Sequence, residues 1–229
     1  MERLHPNAQV IALQSEENQA LVRSIERYRS DSAAVDPYRD ESTKPSIADG
    51  TRISGPGELT WRLLKERSNI RGVAVSESEI QRAIFFLFEK CRLLVEGAGA
   101  LGVAALLSGR VEPSSNSTVV VILSGGNIDI TKVASVIESQ LTAENRYSTF
   151  GIEVEDAPGR LHDALKHFAD HKVNIVDLRR VRAPVGLSHS KARLEVIVET
   201  NNREDADLIF RALADIASKV HTFEIRKLS

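Results

Sequence analysis

A chain of 229 residues, 42% hydrophobic and 27% charged, is long enough for one large core or two small ones and too apolar to stay unfolded. Its 30 Lys and Arg against 32 Asp and Glu leave a formal net charge of -2, which gives no general field for nucleic acid or anionic lipid. The amino terminus has no apolar signal core and no apolar run reaches the ~18 residues of a membrane span, so a cytoplasmic protein is expected, neither secreted nor membrane-spanning.

The apolar run at 9–13 predicts a strand, and Ser15 is the expected N-cap of a helix to about Arg27. Residues 28–44 are polar, contain Pro37 and have no period, which predicts a surface loop. A helix follows Pro56 as far as Arg67, then a short strand at 72–75. Ser76 and Glu79 have capping-box spacing, and Ile80, Ala83, Ile84, Leu87 and Cys91 repeat along one face of the helix they open. Cys91, the single cysteine, rules out an intrachain disulfide and is expected as a small buried hydrophobe on that stripe. Residues 98–107 are apolar all round, as in a helix buried between layers, and stop near Gly109. The continuous β-branched run at 118–123 predicts a strand covered on both faces. Strands alternating with helices predict an α/β unit with an open, mainly parallel sheet.

The pattern changes at a polar stretch, 142–147, which reads as a linker. Beyond it Phe150, Ile152 and Val154 alternate as in a half-buried strand, Pro158 opens a helix, and strand-like stretches at 174–182 and 191–199 flank a loop with Pro184 and Gly186. Ala206, Ile209, Phe210, Leu213 and Ile216 define a second amphipathic helix, and 220–226 closes the chain as a strand. This β-α-β-β-α-β order is that of a ferredoxin-like module.

Gly97, Gly99 and Gly102 match G-x-G-x-x-G, but Glu96 would face a pyrophosphate and no acidic residue ends the next strand, so the dinucleotide reading fails on context. Close helix packing explains the glycines more simply. Ser124, Gly125, Gly126 and Asn127 follow the apolar run at the edge where open α/β sheets place ligands; a plain strand-to-helix turn remains the alternative.

Four separated segments, Ser46 to Gly50, Gly55 to Thr60, Glu96 to Ala100 and Leu123 to Asp129, stand in the order found in the catabolic threonine dehydratases and in serine racemase. Over residues 1 to about 140 the chain thus resembles fold type II pyridoxal-phosphate enzymes. The resemblance implies that Ser124 contacts the pyridine nitrogen of the cofactor, that Gly50 lies against a face of its ring, and that Glu96 is the carboxylate near the ring. A hydroxyl, lacking full negative charge, would leave the ring a mild electron sink suited to β-elimination. A bland role for Glu96, a carboxylate at a helix N-terminus, stays open.

The resemblance also marks departures. The family's Schiff-base lysine segment and tetraglycine phosphate cradle belong upstream of the matched region, and Lys44, Lys65 and Lys90 match neither. No catalytic residue is therefore assigned, and this chain alone is expected to be inactive and not to retain the cofactor. Gln14 and Ala20 stand where metal-binding relatives carry acidic residues, and Glu16 and Glu17 suit the first turn of a helix, so no metal is assigned.

From about residue 147 the chain resembles an ACT domain, on Asp156, Ala157, Pro158 and Gly159 at the first turn and on Asn174 and Ile175 after the first helix. The resemblance implies a regulatory module that encloses an amino acid, a branched-chain one foremost, between neighbouring copies, and hence a homo-oligomer. Asp156 as a cap, Pro158 as a helix start and Asn174 as a turn residue form the alternative. His162, His167 and His171 read as solvated side chains. The expected organisation is a partial catalytic domain at 1–141, a linker at 142–147 and the ACT module at 148–229. The expected function is the C-terminal part of a threonine dehydratase with an effector domain, its lysine-bearing half encoded upstream or separately; a non-enzymatic amino-acid sensor is the rival.

Overall fold

Short apolar runs between amphipathic helices give the chain a mixed α/β architecture. The computed structural model describes residues 8–33, 35–181, 190–220 and 223–228. It divides into two units, Met1–Val136 and Ile137–Ser229.

In the first unit β1 (Val10–Ser15) and β2 (Ile70–Val75) pair in parallel, Val10 opposite Ile70 and Ser15 opposite Val75. Between them run α1 (Ala20–Ser30) and α2 (Glu58–Lys65). Ile25, Trp61 and Ile70 form a small core there, with the Trp61 ring edge-on to Tyr28 and its indole N–H donating to Val35 O at 2.8 Å. Ser15 is not a helix cap: it ends β1, and its buried hydroxyl donates to Glu77 at 2.7 Å, so Gln19 takes the cap position without a side-chain bond.

The capping box forms as the spacing predicts and opens α3 (Glu77–Cys91): Glu79 N–H reaches Ser76 Oγ at 3.3 Å and Ser76 N–H reaches Glu79 Oε2 at 2.7 Å. Ile80, Ala83, Ile84 and Leu87 are buried against α4 (Gly97–Leu107). Cys91 is exposed, contrary to the stripe: it is the last residue of α3, and Arg92 turns the chain away with φ 59°.

The segment at 118–123 departs most from expectation. It forms no strand, the only sheet of this unit among the described residues has two strands, and Val120 and Ile122 are 82% and 80% exposed. Its composition demands cover on two faces, and only α4 supplies any. A further helix, α5 (Ile130–Ala143), follows.

In the second unit β3 (Tyr147–Glu155), α6 (Arg160–Asp170), β4 (Ile175–Val181), β5 (Lys191–Glu199), α7 (Arg203–Val220) and β6 (Phe223–Lys227) follow one another. The sheet order is β4-β5-β3-β6, every neighbour antiparallel, which is the β-α-β-β-α-β connectivity read from the sequence. One face of the sheet packs Phe150, Ile152, Val154, Leu194, Val196 and Val198 against Ala164 and Phe168 of α6 and Leu213 of α7. The Pro184 and Gly186 loop lies outside the described residues. His162 and His171 are exposed, but His167 is half-buried, its ring stacked on Phe223 at 5.6 Å.

Candidate functional site

Two loops of the first unit meet at the N-terminus of α4, and glycine makes each approach possible. A Cβ on Gly97 would lie 2.3 Å from Ile47 O, and one on Gly99 would lie 1.8 Å from Ser124 O. The G-x-G-x-x-G run is therefore a packing face, against the 47–51 loop, the 124–126 loop and, at Gly102, the side chain of Val121.

The first of these loops is shaped by Ser46, whose hydroxyl donates to Glu77 Oε1 and accepts from Ala48 N–H at 3.0 Å. Glu77 Oε2 also takes the Ile47 N–H at 2.8 Å, so one carboxylate ties β1, this loop and α3 together. Sequence reading gave Glu77 no role; its only signal was a place in the first turn after a capping Ser. The loop then makes a short 3-10 turn, Asp49–Thr51, that carries Gly50.

Gly50, Glu96 and the Ser124 turn, far apart in the sequence and assigned together by the family resemblance, converge here. A Cβ on Gly50 would lie 3.7 Å from Glu96 Oε1, and Glu96 N–H donates to Gly125 O at 3.1 Å. Glu96 is the N-cap residue of α4, but its side chain makes no cap bond, so the carboxylate is not consumed in closing the helix. Gly125 holds a left-handed φ of 74° that keeps the turn folded over that carboxylate.

Three lysines of the unit make ion pairs. Lys132 pairs with Asp49 at 3.1 Å, Lys44 with Glu17 at 3.2 Å and Lys90 with Glu89 at 3.0 Å.

Gln14 is buried and serves the fold: its Oε1 accepts from Leu21 N–H at 2.8 Å and Val22 N–H at 3.2 Å, and its Nε2 donates to Thr51 O. Ala20 is buried on α1. Glu16 pairs with Arg110 at 2.7 Å, and Arg110 also reaches Glu79 at 3.1 Å. Glu79 is costly to bury, yet the Ser76 N–H and Arg110 outweigh that penalty and hold its carboxyl below the ordinary range.

Residues 1–125 match the family described as pyridoxal-phosphate dependent enzyme. The chain belongs to that family. It is 32% identical to the L-threonine ammonia-lyase of Thermotoga maritima over 210 residues, 92% of this chain and 50% of that protein. It is 39% identical to the L-threonine ammonia-lyase of Geobacter sulfurreducens over 162 residues, 69% of this chain and 38% of that one. The structure of maize serine racemase aligns with a TM-score of 0.49 and 26% identity, over 61% of this chain and 41% of its own. The chain spans half or less of the length of the curated relatives it matches.

The residues that the family resemblance assigns to one side of the cofactor lie together at this helix terminus. Gly50 packs on α4, where a Cβ on it would lie 3.2 Å from Ala98 Cβ and 3.7 Å from Glu96 Oε1, while the Ser124 carbonyl closes onto Gly99 and the Glu96 side chain makes no cap bond. Gly50, Glu96 and Ser124 are the residues that would hold the ring, and the bound group would supply an electron sink for charge developing at a substrate carbon.

In the second unit, Asp156 is held by Arg180 Nη2 at 2.5 Å, and Gly159, with φ 88°, caps α6 after Pro158. Asn174 is 2.9 Å from Glu199 through its Nδ2, next to Ile175. Within one chain these two groups stand at opposite ends of the sheet. Glu155 pairs with Lys191 and Ile175 with Val198, a run of roughly 23 Å at the usual rise per strand residue.

Proposed function

We propose that the chain is the C-terminal portion of a threonine or serine dehydratase dependent on pyridoxal phosphate, joined to an ACT unit that binds an amino acid. The convergence of Gly50, Glu96 and the Ser124 turn at one helix terminus carries this reading, because three separated motifs meet where a flat ring needs a bare face, a carboxylate and a hydroxyl. In the complete assembly the reaction is loss of the α-proton and β-hydroxyl of threonine, followed by hydrolysis to a 2-oxo acid and ammonia. Ser124 keeps the ring a mild sink, and the lysine that anchors the cofactor comes from outside this chain. Alone, the chain is inactive.

The second unit is read as the regulator. The match to the Thermotoga protein covers 92% of this chain, too much to be confined to the first unit, which supports a unit shared with that relative. Its effector lies between the Asp156 to Gly159 turn of one copy and Asn174 and Ile175 of another, which makes the protein a homo-oligomer; a branched-chain amino acid is the foremost candidate. An amino-acid sensor without enzymatic activity is the second reading, favoured by a complete core of its own in the second unit.

Two experiments test the proposal. In an assembly with a lysine-bearing half, Ser124→Ala should cut 2-oxo acid formation at least ~10-fold, as expected for loss of a polar contact to the reacting system. Calorimetric titration of the chain with isoleucine, valine, threonine and serine should show binding of at least one, abolished by Asp156→Ala with Asn174→Ala. Unchanged turnover rejects the first half, and no binding rejects the second.

A further inference from the structure

Asp156, in the turn before α6, is engaged by an arginine from a separate strand. Arg180 of β4 donates from Nη2 to Asp156 Oδ2 at 2.5 Å, and the two side chains stay 56% and 46% exposed. The register sets Arg180 opposite Leu194 and Leu194 opposite Ile152, and residues directly opposite one another share a face of the sheet. Leu194 and Ile152 are buried in the core beneath the helices. Arg180 therefore extends an apolar row with an exposed cation, and its guanidinium is turned to the Asp156 carboxylate.

The charges around this pair are committed elsewhere. Arg160 goes to Glu155 at 3.1 Å and Asp163 at 3.9 Å, Arg179 to Asp177 at 2.7 Å and Lys191 to Glu224 at 2.8 Å. The turn itself borders open space, since a Cβ on Gly159 would meet nothing within 4 Å. Beyond it α6 begins, and the first N–H groups of a helix have no partner inside it.

An ion pair this exposed is weak against water and opens readily. A ligand that carries both charges on one carbon separates the two side chains with every charge still paired. Its ammonium satisfies Asp156, and its carboxylate meets the guanidinium fork, which accommodates two parallel N–H···O bonds. A simple amine or a simple acid supplies half of that exchange.

We propose that Arg180 binds the carboxylate of a free α-amino acid whose ammonium binds Asp156, the ligand opening the Asp156 to Arg180 pair as it enters. The proposal rests on the effector reading of the second unit. To that reading it adds a carboxylate-binding residue and a ligand class, zwitterions in preference to amines or acids.

Calorimetry on the 229-residue chain tests it, first with isoleucine, valine, threonine and serine. Whichever binds is then compared with its amino alcohol, which lacks the carboxylate, and with the corresponding acid lacking the amino group. The native chain should prefer the amino acid at least ~10-fold over either, the usual scale for one hydrogen bond to a charged group. Arg180→Gln should weaken the amino acid by at least ~10-fold and leave the amino alcohol bound equally or more tightly, while Arg180→Lys, with the charge but not the fork, recovers part of the loss. Amide exchange in β3 and β5 should match in all three chains, because the Arg180 side chain is more than half exposed.

Amino-acid binding by Arg180→Gln as tight as in the native chain, or tighter, would make Arg180 only a competitor for Asp156 and overturn the proposal. Equal losses for the amino acid and the amino alcohol would overturn it too. In either case binding that is still abolished by Asp156→Ala with Asn174→Ala keeps the effector reading standing. No binding of any of the four by the native chain rejects that reading and this inference together.

Discussion

Glu96 fills the space that a side chain on Gly125 would need: a Cβ built on Gly125 falls 2.1 Å from both Cδ and Oε1 of Glu96. The turn and the carboxylate therefore define each other. Gly125→Ala must both displace Glu96 and hold an L-residue at φ 74°, which alone costs about 1–2 kcal/mol. A chemical-unfolding series should show a loss of at least that size, accompanied by faster amide exchange at Glu96. Loss of stability with Glu96 unperturbed would place the strain elsewhere.

The lowered pKa of Glu79 makes the α3 cap sensitive to acid. A carboxyl with a depressed folded pKa contributes stability that is fully present above its ordinary value, near 4.5, and is lost as pH falls through the folded value. The urea midpoint should therefore drop more steeply below about pH 4.5 in the native chain than in Glu79→Gln, which keeps an acceptor for Ser76 N–H but no charge to titrate. Parallel curves would mean that Glu79 is not the group responsible.

Glu153 is only 6% exposed on the open face of the second sheet, with Arg193 Nη2 at 2.5 Å and Arg226 at 3.8 Å. Removing Arg193 leaves a buried carboxylate with Arg226 at 3.8 Å and the charge of Lys191 beyond it. Arg193→Met should cost about 2–4 kcal/mol, near the range for breaking a buried pair, and Glu153→Leu in the same chain should restore part of that loss. Additive losses in the double variant would show that the two side chains are not coupled.

Much of this was readable in advance where local chemistry decides the outcome. Ser76 and Glu79 form their capping box because both partners lie within one helical turn, and Phe150, Ile152 and Val154 alternate because their sheet is completed inside the chain. Three of the failures share one cause. Val120, Ile122 and Cys91 carry patterns that presume a neighbour, and periodicity reports what a side chain would bury against, not whether that surface is present. Ser15 failed differently: a hydroxyl before a helix suits a cap, but Glu77, 62 residues on, competed for it successfully. Glu77 left only its place after a capping Ser as a local signal, since its three partners come from two other segments. Gly50, Glu96 and Ser124 were found through family motifs, and only the fold shows that three glycine-permitted approaches are what bring them together.

On the proposed reading this chain holds one side of a cofactor site whose lysine comes from elsewhere. Formation of 2-oxobutanoate from threonine tests it most directly, measured in the presence of pyridoxal phosphate for the chain alone and for the chain assembled with the unmatched part of the Thermotoga maritima relative. The account predicts no product from the chain alone and steady product from the assembly, reduced by Ser124→Ala. Turnover by the chain alone, with the cofactor trapped by borohydride on one of its own lysines, would contradict it.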